Sequence, residues 1–266
     1  GLHHVWKDTS RGGTSNNDQH LVSSLTNAES TYAQYRMDFN SDGFTLDGAG
    51  DTGFQGSGTS MVSWAWKANG GTTTSFSESG NNPGGNRQTN TDAGFSIISY
   101  TGTGANASCA LAHGLPSTPK FVVFKRRNAA NWWATYHVST GVDYKLALQT
   151  TGAKDADGAF MNGTIPDATN IYVGGTSVHT NADNGTYICY AFSPIQGYSK
   201  FGSYEGNSNA NGPFIYTGFK PAFIIVKPID IAEHWVMHDG TRDPYNKTYH
   251  YLFANEAEAE AAGGTH

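Results

Sequence analysis

The stretch that decides the fold begins with Phe95-Ser-Ile-Ile-Ser-Tyr100-Thr-Gly-Thr-Gly104 and ends with Thr186-Tyr-Ile-Cys-Tyr-Ala-Phe192. The first segment is apolar on both faces of a strand, and the second is rich in aromatic residues. Further short apolar runs lie between them, separated by Gly, Asn and Pro residues that favour turns. The sequence therefore predicts a complete unit of short antiparallel strands over residues 94–197.

Parts of this unit recur after it. Tyr100, Pro119 and Trp133 have counterparts 104, 102 and 102 residues later, inside similar local sequences. A nearly constant spacing of three anchor residues indicates an internal repeat of about one hundred residues. Residues 198–266 are therefore predicted to be the front half of a further unit.

The first and last segments also resemble each other. Asp8 and Arg11 recur 231 residues later as Asp239 and Arg242. Ala28-Glu29 lines up roughly with Ala257-Glu258, 229 residues later. Residues 1–69 are therefore predicted to be the back half of a unit, a partial repeat like the one at the other end.

Two stretches precede the complete unit. Met61-Val-Ser-Trp-Ala-Trp-Lys67 alternates strictly, which predicts a strand with Val62, Trp64 and Trp66 on its buried face. Residues 70–93 are rich in Gly, Thr and Asn, which predicts a linker or a long loop.

The predicted fold is all-β, with tandem antiparallel β-sandwich repeats of jelly-roll or concanavalin-like type and little helix. A lone half-unit exposes strand edges and an apolar face. Three arrangements stay open. The halves close on each other in one chain, or one chain completes the next as a head-to-tail polymer through edge strands, or the chain is cut from a longer repeat array.

The composition restricts the function. Charged residues make up 14% of the chain and the net charge is −6, which argues against a nucleic-acid partner because phosphate binding needs clustered Lys and Arg. No apolar run approaches the length of a membrane span. The sequence contains no P-loop, Rossmann or nucleophile-elbow motif and singles out no pair of carboxylates. We therefore expect a protein that is not an enzyme.

One short segment resembles a calcium loop. Asp38, Asn40, Asp42 and Gly43 match the first six positions, D-x-N-x-D-G, where oxygen ligands alternate before a sharp turn. The twelfth position holds Ala49 instead of the bidentate Glu that calcium needs. A β-turn between strands is the favoured interpretation, no cofactor is expected, and calcium is the alternative.

Aromatic side chains are the candidate ligand-binding residues. Trp132, Tyr249 and Tyr251 could stack on sugar rings if they are exposed, although core or inter-unit contacts are the favoured interpretation. Cys109 and Cys189 are either paired or, as favoured, two free thiols buried in strands.

The chain resembles a family of β-rich repeat proteins of marine bacteriophages and marine metagenomes. The resemblance rests on Phe39-Asn-Ser-Asp-Gly-Phe-Thr-Leu46 with residues 62–67, on residues 197–204 and 216–223, and on Asp243-Pro-Tyr-Asn246 and Ala257-Glu258. It implies a concanavalin-like β-sandwich and a virion structural or tail-associated protein, and it carries no catalytic residues.

From this resemblance and the repeats we expect a structural, self-assembling protein of a phage virion, such as a tail fibre or surface decoration protein, or of an extracellular filament. Its expected location is extracellular, on a virion surface or tail, and its main partner is a further copy of itself. The alternative is a carbohydrate-binding adhesin that recognises glycans on the host surface.

Overall fold

The computed structural model describes residues 3–11, 19–46, 54–175 and 177–263, and these residues form an all-β protein. They contain one short 3-10 helix, Ala33–Tyr35, and the following strands: β1 (Val5–Trp6), β2 (Gln19–Val22), β3 (Ser30–Thr31), β4 (Met37–Phe39), β5 (Phe44–Leu46), β6 (Thr74–Phe76), β7 (Gly85–Asn90), β8 (Phe95–Thr101), β9 (Ser108–Ala112), β10 (Phe121–Arg126), β11 (Trp133–His137), β12 (Tyr144–Ala147), β13 (Asp155–Ala156), β14 (Asn170–Gly174), β15 (Thr186–Phe192), β16 (Phe223–Val226), β17 (Val236–Asp239), β18 (His250–Phe253) and β19 (Ala261–Ala262).

An eight-stranded antiparallel sheet forms the centre, with the order β13-β12-β11-β10-β15-β8-β7-β6. β15 lies between β10 and β8, and it pairs with β8 along its whole length and with β10 from Tyr187 to Phe192. These three strands are apolar on both faces because each face of the sheet is covered by another layer.

The two faces of the central sheet bury different clusters. One face packs against the two-stranded sheet β14-β9, through residues such as Phe124, Phe160 and Ile171. The other face packs against the sheets β1-β2-β3 and β16-β17-β18-β19, through Trp133, Leu21 and Trp235. The first and last segments therefore share one hydrophobic core with the central sheet in the same chain.

Three meanders of the chain have matching strand pairing. They are the N-terminal meander (β1–β3), the middle meander (β11–β13) and the C-terminal meander (β17–β19). The N-terminal pairs recur 231 residues later in the C-terminal meander: Val5↔Val22 as Val236↔Phe253, and Gln19↔Thr31 as His250↔Ala262. This is the spacing that Asp8 and Arg11 predict from the sequence.

Equivalent side chains link the meanders in a closed cycle. Trp133 Nε1 donates to the Val22 carbonyl at 2.9 Å, and Trp235 Nε1 donates to the Ala147 carbonyl at 3.1 Å. His4, which takes the place of these tryptophans in the N-terminal meander, interacts with the backbone of Phe253. Each meander therefore contacts both of the others, and Ser23 Oγ adds a direct 2.8 Å hydrogen bond to the Ala254 carbonyl.

Three sequence expectations need correction. Residues 70–93, expected as a linker or long loop, carry β6 and β7, which are full members of the central sheet. Residues 61–67, expected as a strand, form no ladder, and Val62 and Trp66 are 36% and 43% exposed. Glu29 corresponds to Glu260 and not to Glu258, since each carboxylate binds the arginine of its own meander.

In the part of the chain that the structure describes, no helix is long and apolar enough to cross a membrane.

Candidate functional site

The outer strand of the C-terminal sheet has an open edge. β16 pairs with β17 on one side, and no described strand pairs with it on the other. Its counterpart in the central sheet, β10, has β11 on one side and β15 on the other. The backbone N–H and C=O groups on the free side of β16 can therefore accept an added strand.

The side chains of β16 also favour the addition of a strand at this edge. Phe223 and Ile225 pack into the shared core, whereas Ile224 points to the opposite face and is 45% exposed. β-branched and aromatic residues favour a strand. Charged residues or proline, which commonly protect an edge strand, are absent from Phe223–Val226.

An exposed segment leads into this edge, and we name residues 200–222 the aromatic arm. It contains no strand or helix. Phe201 anchors its start by stacking on Phe121, with ring centroids 6.0 Å apart. Beyond that point large apolar side chains face solvent, with Phe214 88% and Tyr216 70% exposed. An exposed group of this kind is typical of an interaction surface.

A third element lies beside the edge, and we name residues 61–67 the Trp segment. The ring of Trp64 lies 5.4 Å from that of Phe223, and Trp66 lies 6.0 Å from Phe223 and 6.2 Å from Phe192. The Trp64 Nε1 atom is buried and has no hydrogen-bond partner. The Trp segment therefore packs on β16 through its side chains and leaves its own backbone groups outside any ladder among the described residues.

An ion-pair network in the C-terminal meander positions the Trp segment. Arg242 lies over the ring of Trp64 at 5.9 Å, bonds to Asp239 at 2.6 Å, and reaches Glu260 at 2.9 Å. Burial raises the pKa of Asp239, but the hydrogen bonds from Arg242 outweigh it, so that the pKa is lowered overall. Asp239 therefore stays a carboxylate, and it holds the guanidinium of Arg242 against the indole ring of Trp64.

One family model matches almost the whole chain, including β16, the aromatic arm and the Trp segment. A family described as a domain of unknown function, DUF7483, matches residues 2–266. The chain belongs to the DUF7483 family. No curated protein and no solved structure matches it. The DUF7483 match includes both terminal sheets together with the central one.

The residues of the calcium-like segment lie in a hairpin of this DUF7483 chain. Asp38 is on β4, and Asn40 and Asp42 are in the turn before β5, all three exposed. Asn40 uses its side chain to donate to Thr45 Oγ1 at 2.8 Å and its backbone N–H to donate to the Gly43 carbonyl. The geometry is that of a β-turn, and no group of three or more acidic, His or Cys side chains that could hold a metal occurs in the described ranges.

The structure does not bring the candidate aromatic residues together. Trp132 precedes β11 and is 37% exposed, but its ring stacks on His179 at 5.4 Å and Lys145 Nζ lies 4.9 Å from its centroid. Tyr251 on β18 is buried, and its neighbour Tyr249 is 56% exposed. Trp132 and Tyr249 are therefore the two candidates that a ligand could reach.

The two cysteines are free thiols. Cys109 and Cys189 are both buried, and burial raises the pKa of each. A buried thiol with a raised pKa is a poor nucleophile, so both act as small core residues.

The residues that define the site, Ile224, Phe214 and Tyr216, are not among those that the sequence patterns single out. The signal that could have found them is the repeat itself. β16 corresponds to β10, so its neighbours in the central sheet show which strands it is able to bind.

Proposed function

We propose that this DUF7483 protein is a structural, self-assembling β-repeat protein whose copies join through the open edge of β16. The repeats are tandem antiparallel β-sandwich units, with the partial units at 1–69 and 198–266 contributing to the assembly. The resemblance to marine phage proteins favours a virion tail fibre or surface protein, or an extracellular filament, and thus an extracellular location.

The open edge of β16 is the observation that carries this proposal. An exposed edge strand without charges readily pairs with another chain, and isolated proteins usually protect such edges. The aromatic arm adds exposed Phe214 and Tyr216 beside it, which offers apolar area to bury on association.

The test is the state of association of the purified protein. We expect its mass by light scattering to rise with concentration and electron microscopy to show ordered polymers. Ile224→Lys places a charge at the open edge, where it should abolish the polymers, because a charged side chain, and lysine in particular, on an edge strand disfavours pairing with another chain. Ile165→Lys is the matched control, since Ile165 is 68% exposed on a loop of the central unit. A monodisperse wild-type monomer at high concentration would refute the proposal.

Glycan recognition on a host surface is the second candidate function, and the exposed Trp132 supports it. Aromatic rings at a surface bind sugars by stacking, and Lys145 and Asp155 near Trp132 supply polar groups. A glycan array should then show binding that Trp132→Ala removes, with Tyr245→Ala as the control, since Tyr245 is an aromatic residue that is 84% exposed. An array without binding, together with ordered polymers, rules out the adhesin.

A further inference from the structure

We propose that His4 is a pH-sensitive latch, which holds the N-terminal meander against the C-terminal meander and releases it when the imidazole becomes protonated. The inference goes beyond the proposed function and does not depend on it, because the contact lies within one chain. It rests on the place of His4 in the cycle of meander links, on its buried Nε2 atom and on the charges around the ring.

The cycle has three equivalent links, and His4 is the one among them that can titrate. Trp133 and Trp235 link their meanders through indole N–H donors, which carry no charge. His4 stands 231 residues before Trp235 in the sequence. It interacts with the backbone of Phe253, which corresponds to the Val22 that accepts from Trp133. Of the three links, the contact between the N-terminal and C-terminal meanders is therefore the one that a change of pH can weaken.

The second nitrogen of His4 has no acceptor. Its Nε2 atom is buried and makes no hydrogen bond in the part of the chain that the structure describes. A neutral imidazole can leave Nε2 there as a lone pair, whereas an imidazolium carries N–H donors on both nitrogens. Protonation would therefore bury both an unpaired N–H group and a positive charge, and each of these is costly.

The groups around His4 favour the neutral ring. Burial is the main reason that the pKa of His4 is lowered. The hydrogen bond to the Phe253 backbone opposes this effect, whereas the nearby His3 and Arg242 add to it. The end of β2 contributes Ser23, an uncharged residue whose backbone N–H donates to the His4 carbonyl at 3.1 Å.

A further titratable pair lies behind Phe253. The ring of His234 stacks on that of Phe253 with centroids 4.0 Å apart, and its Nδ1 atom lies 3.8 Å from Glu256. A carboxylate within this distance compensates a positive charge on His234. The charged groups that act on His4 are themselves positive, so that a charge on His4 has no such compensation.

Acidification should therefore loosen the contact between the two meanders. Because the pKa of His4 is lowered in the folded protein, the stability from its neutral ring is complete above the unfolded pKa of about 6.5 and falls as pH decreases toward the folded pKa. The released meander would uncover apolar side chains of the shared core, such as Leu21 and Trp6. The links through Trp133 and Trp235 do not titrate, so the opening would be local.

Amide hydrogen exchange tests the latch, because the three links have equivalent reporters. In each meander one backbone N–H donates to the carbonyl of the link residue, which pairs Ser23 with His4, Leu148 with Trp133 and Ala254 with Trp235. Protection factors are corrected for the intrinsic pH dependence of exchange. We expect the protection factor of Ser23 in the wild type to fall several-fold between about pH 7 and about pH 5, and that of Leu148 to stay constant.

The decisive variant is His4→Gln, which keeps an amide donor in place of the imidazole and cannot become charged. The protection factor of Ser23 should then be the same at both pH values. His3→Gln is the matched control, since it removes the exposed neighbouring imidazole and should leave the pH dependence in place. His234→Gln is the same control for the ring behind Phe253. His4→Trp, which installs the residue of the other two links, should also remove the pH dependence.

Several outcomes would overturn the latch. They are a constant protection of Ser23 in the wild type, a fall that His4→Gln reproduces, and a fall that Leu148 shares, since the last would be global unfolding. If neither variant of His4 folds, nuclear magnetic resonance of the wild type decides. A midpoint for His4 below about pH 6.5, with Ser23 losing protection over the same range, supports the latch, and a midpoint at or above that value overturns it.

Discussion

Arg11 carries a deeply buried charge in the N-terminal meander, and its partners Asp8 and Glu29 also bind residues of the central unit. Its side chain is 1% exposed and pairs with Asp8 at 2.5 Å and with Glu29 at 3.0 Å. Glu29 also binds Arg127 at 2.7 Å, and Tyr190 donates to Asp8 at 2.6 Å. Burial raises the pKa of Asp8, but Arg11 and Tyr190 lower it by more, so the carboxylate stays charged in the folded protein.

Replacing this carboxylate should destabilise the protein strongly. Asp8→Asn leaves the buried guanidinium without its main partner, and we expect a loss of about 3–5 kcal/mol in the free energy of unfolding. Asp239→Asn is the matched control, because the same bonds form around Arg242, which is 11% exposed, and its cost should be smaller. Urea denaturation measures both, and equal costs would contradict the role of burial.

The pairing of Asp8 with Arg11 also predicts how the stability of the protein depends on pH. The folded pKa of Asp8 is lowered, so its contribution is present above the unfolded pKa of about 3.9 and is lost as pH falls through the folded pKa. Below about pH 4 the wild type should therefore lose more stability than Asp8→Asn does. Parallel pH profiles of the two proteins would show that Asp8 is not the group responsible.

His250 and Asp243 form a second titrating pair at the surface. Asp243 accepts from the backbone N–H groups of Tyr249 and His250 and contacts His250 Nδ1 at 2.7 Å. These bonds lower the pKa of Asp243 to about 2, and the carboxylate raises the pKa of His250. The stabilisation from His250 is present below its unfolded pKa of about 6.5 and is lost as pH rises through the folded pKa.

Nuclear magnetic resonance can follow this titration directly. We expect His250 to titrate above about pH 6.5 in the wild type and close to that value in Asp243→Asn. His113, whose pKa burial lowers, is the internal control and should titrate below it in both proteins. A midpoint for His250 that does not change in Asp243→Asn would contradict the pairing.

At the scale of elements, the sequence predicts the strands that pack on both faces and misses those held by polar contacts. β8, β10 and β15 can be recognised in the sequence because apolar residues occur on both faces of each strand. β7 does not, because its residues are Gly-Asn-Arg-Gln-Thr-Asn, and its buried Gln88 is satisfied by Thr9, Ser10 and Gly71. Such a strand depends on partners that are distant in sequence, which composition cannot show.

The Trp segment shows the opposite error. Strict alternation is a property of the segment alone, whereas a strand also needs a neighbour whose backbone is free. The chain's described residues supply no such neighbour to residues 61–67. For the same reason the site could be predicted only in part: the repeat places β16 at the position of β10, but it does not show that β16 lacks the second neighbouring strand that β10 has.

The tryptophan links between meanders provide a prediction at this scale. Trp133→Phe and Trp235→Phe keep the aromatic packing but remove the Nε1 donor and leave buried carbonyls without that partner. Each change should cost about 1–3 kcal/mol in the free energy of unfolding. Trp132→Phe is the control and should be nearly neutral, since Trp132 is 37% exposed and a phenyl ring can keep its stacking on His179. Losses as small as that of the control would show that the meanders are held by packing alone.

At the scale of the whole molecule, the partial units are not independent domains. Trp6, Trp133 and Trp235 come from three different meanders and belong to one buried cluster with its packed neighbours. Backbone bonds also tie two of the meanders to loops elsewhere in the chain, as Glu29 N–H donates to the Arg127 carbonyl and Lys154 N–H to the Ile229 carbonyl, both at 2.8 Å. Elements that share a core in this way unfold together.

Calorimetry should therefore show one cooperative transition for the described fold. We expect equal calorimetric and van't Hoff enthalpies for Ile224→Lys, the variant in which strand addition between copies is blocked. The wild type should unfold at a temperature that rises with protein concentration, because association stabilises the folded state by mass action. Two separate transitions in Ile224→Lys would contradict the shared core. A wild-type unfolding temperature that is independent of concentration would instead mean that the open edge of β16 binds no further copy.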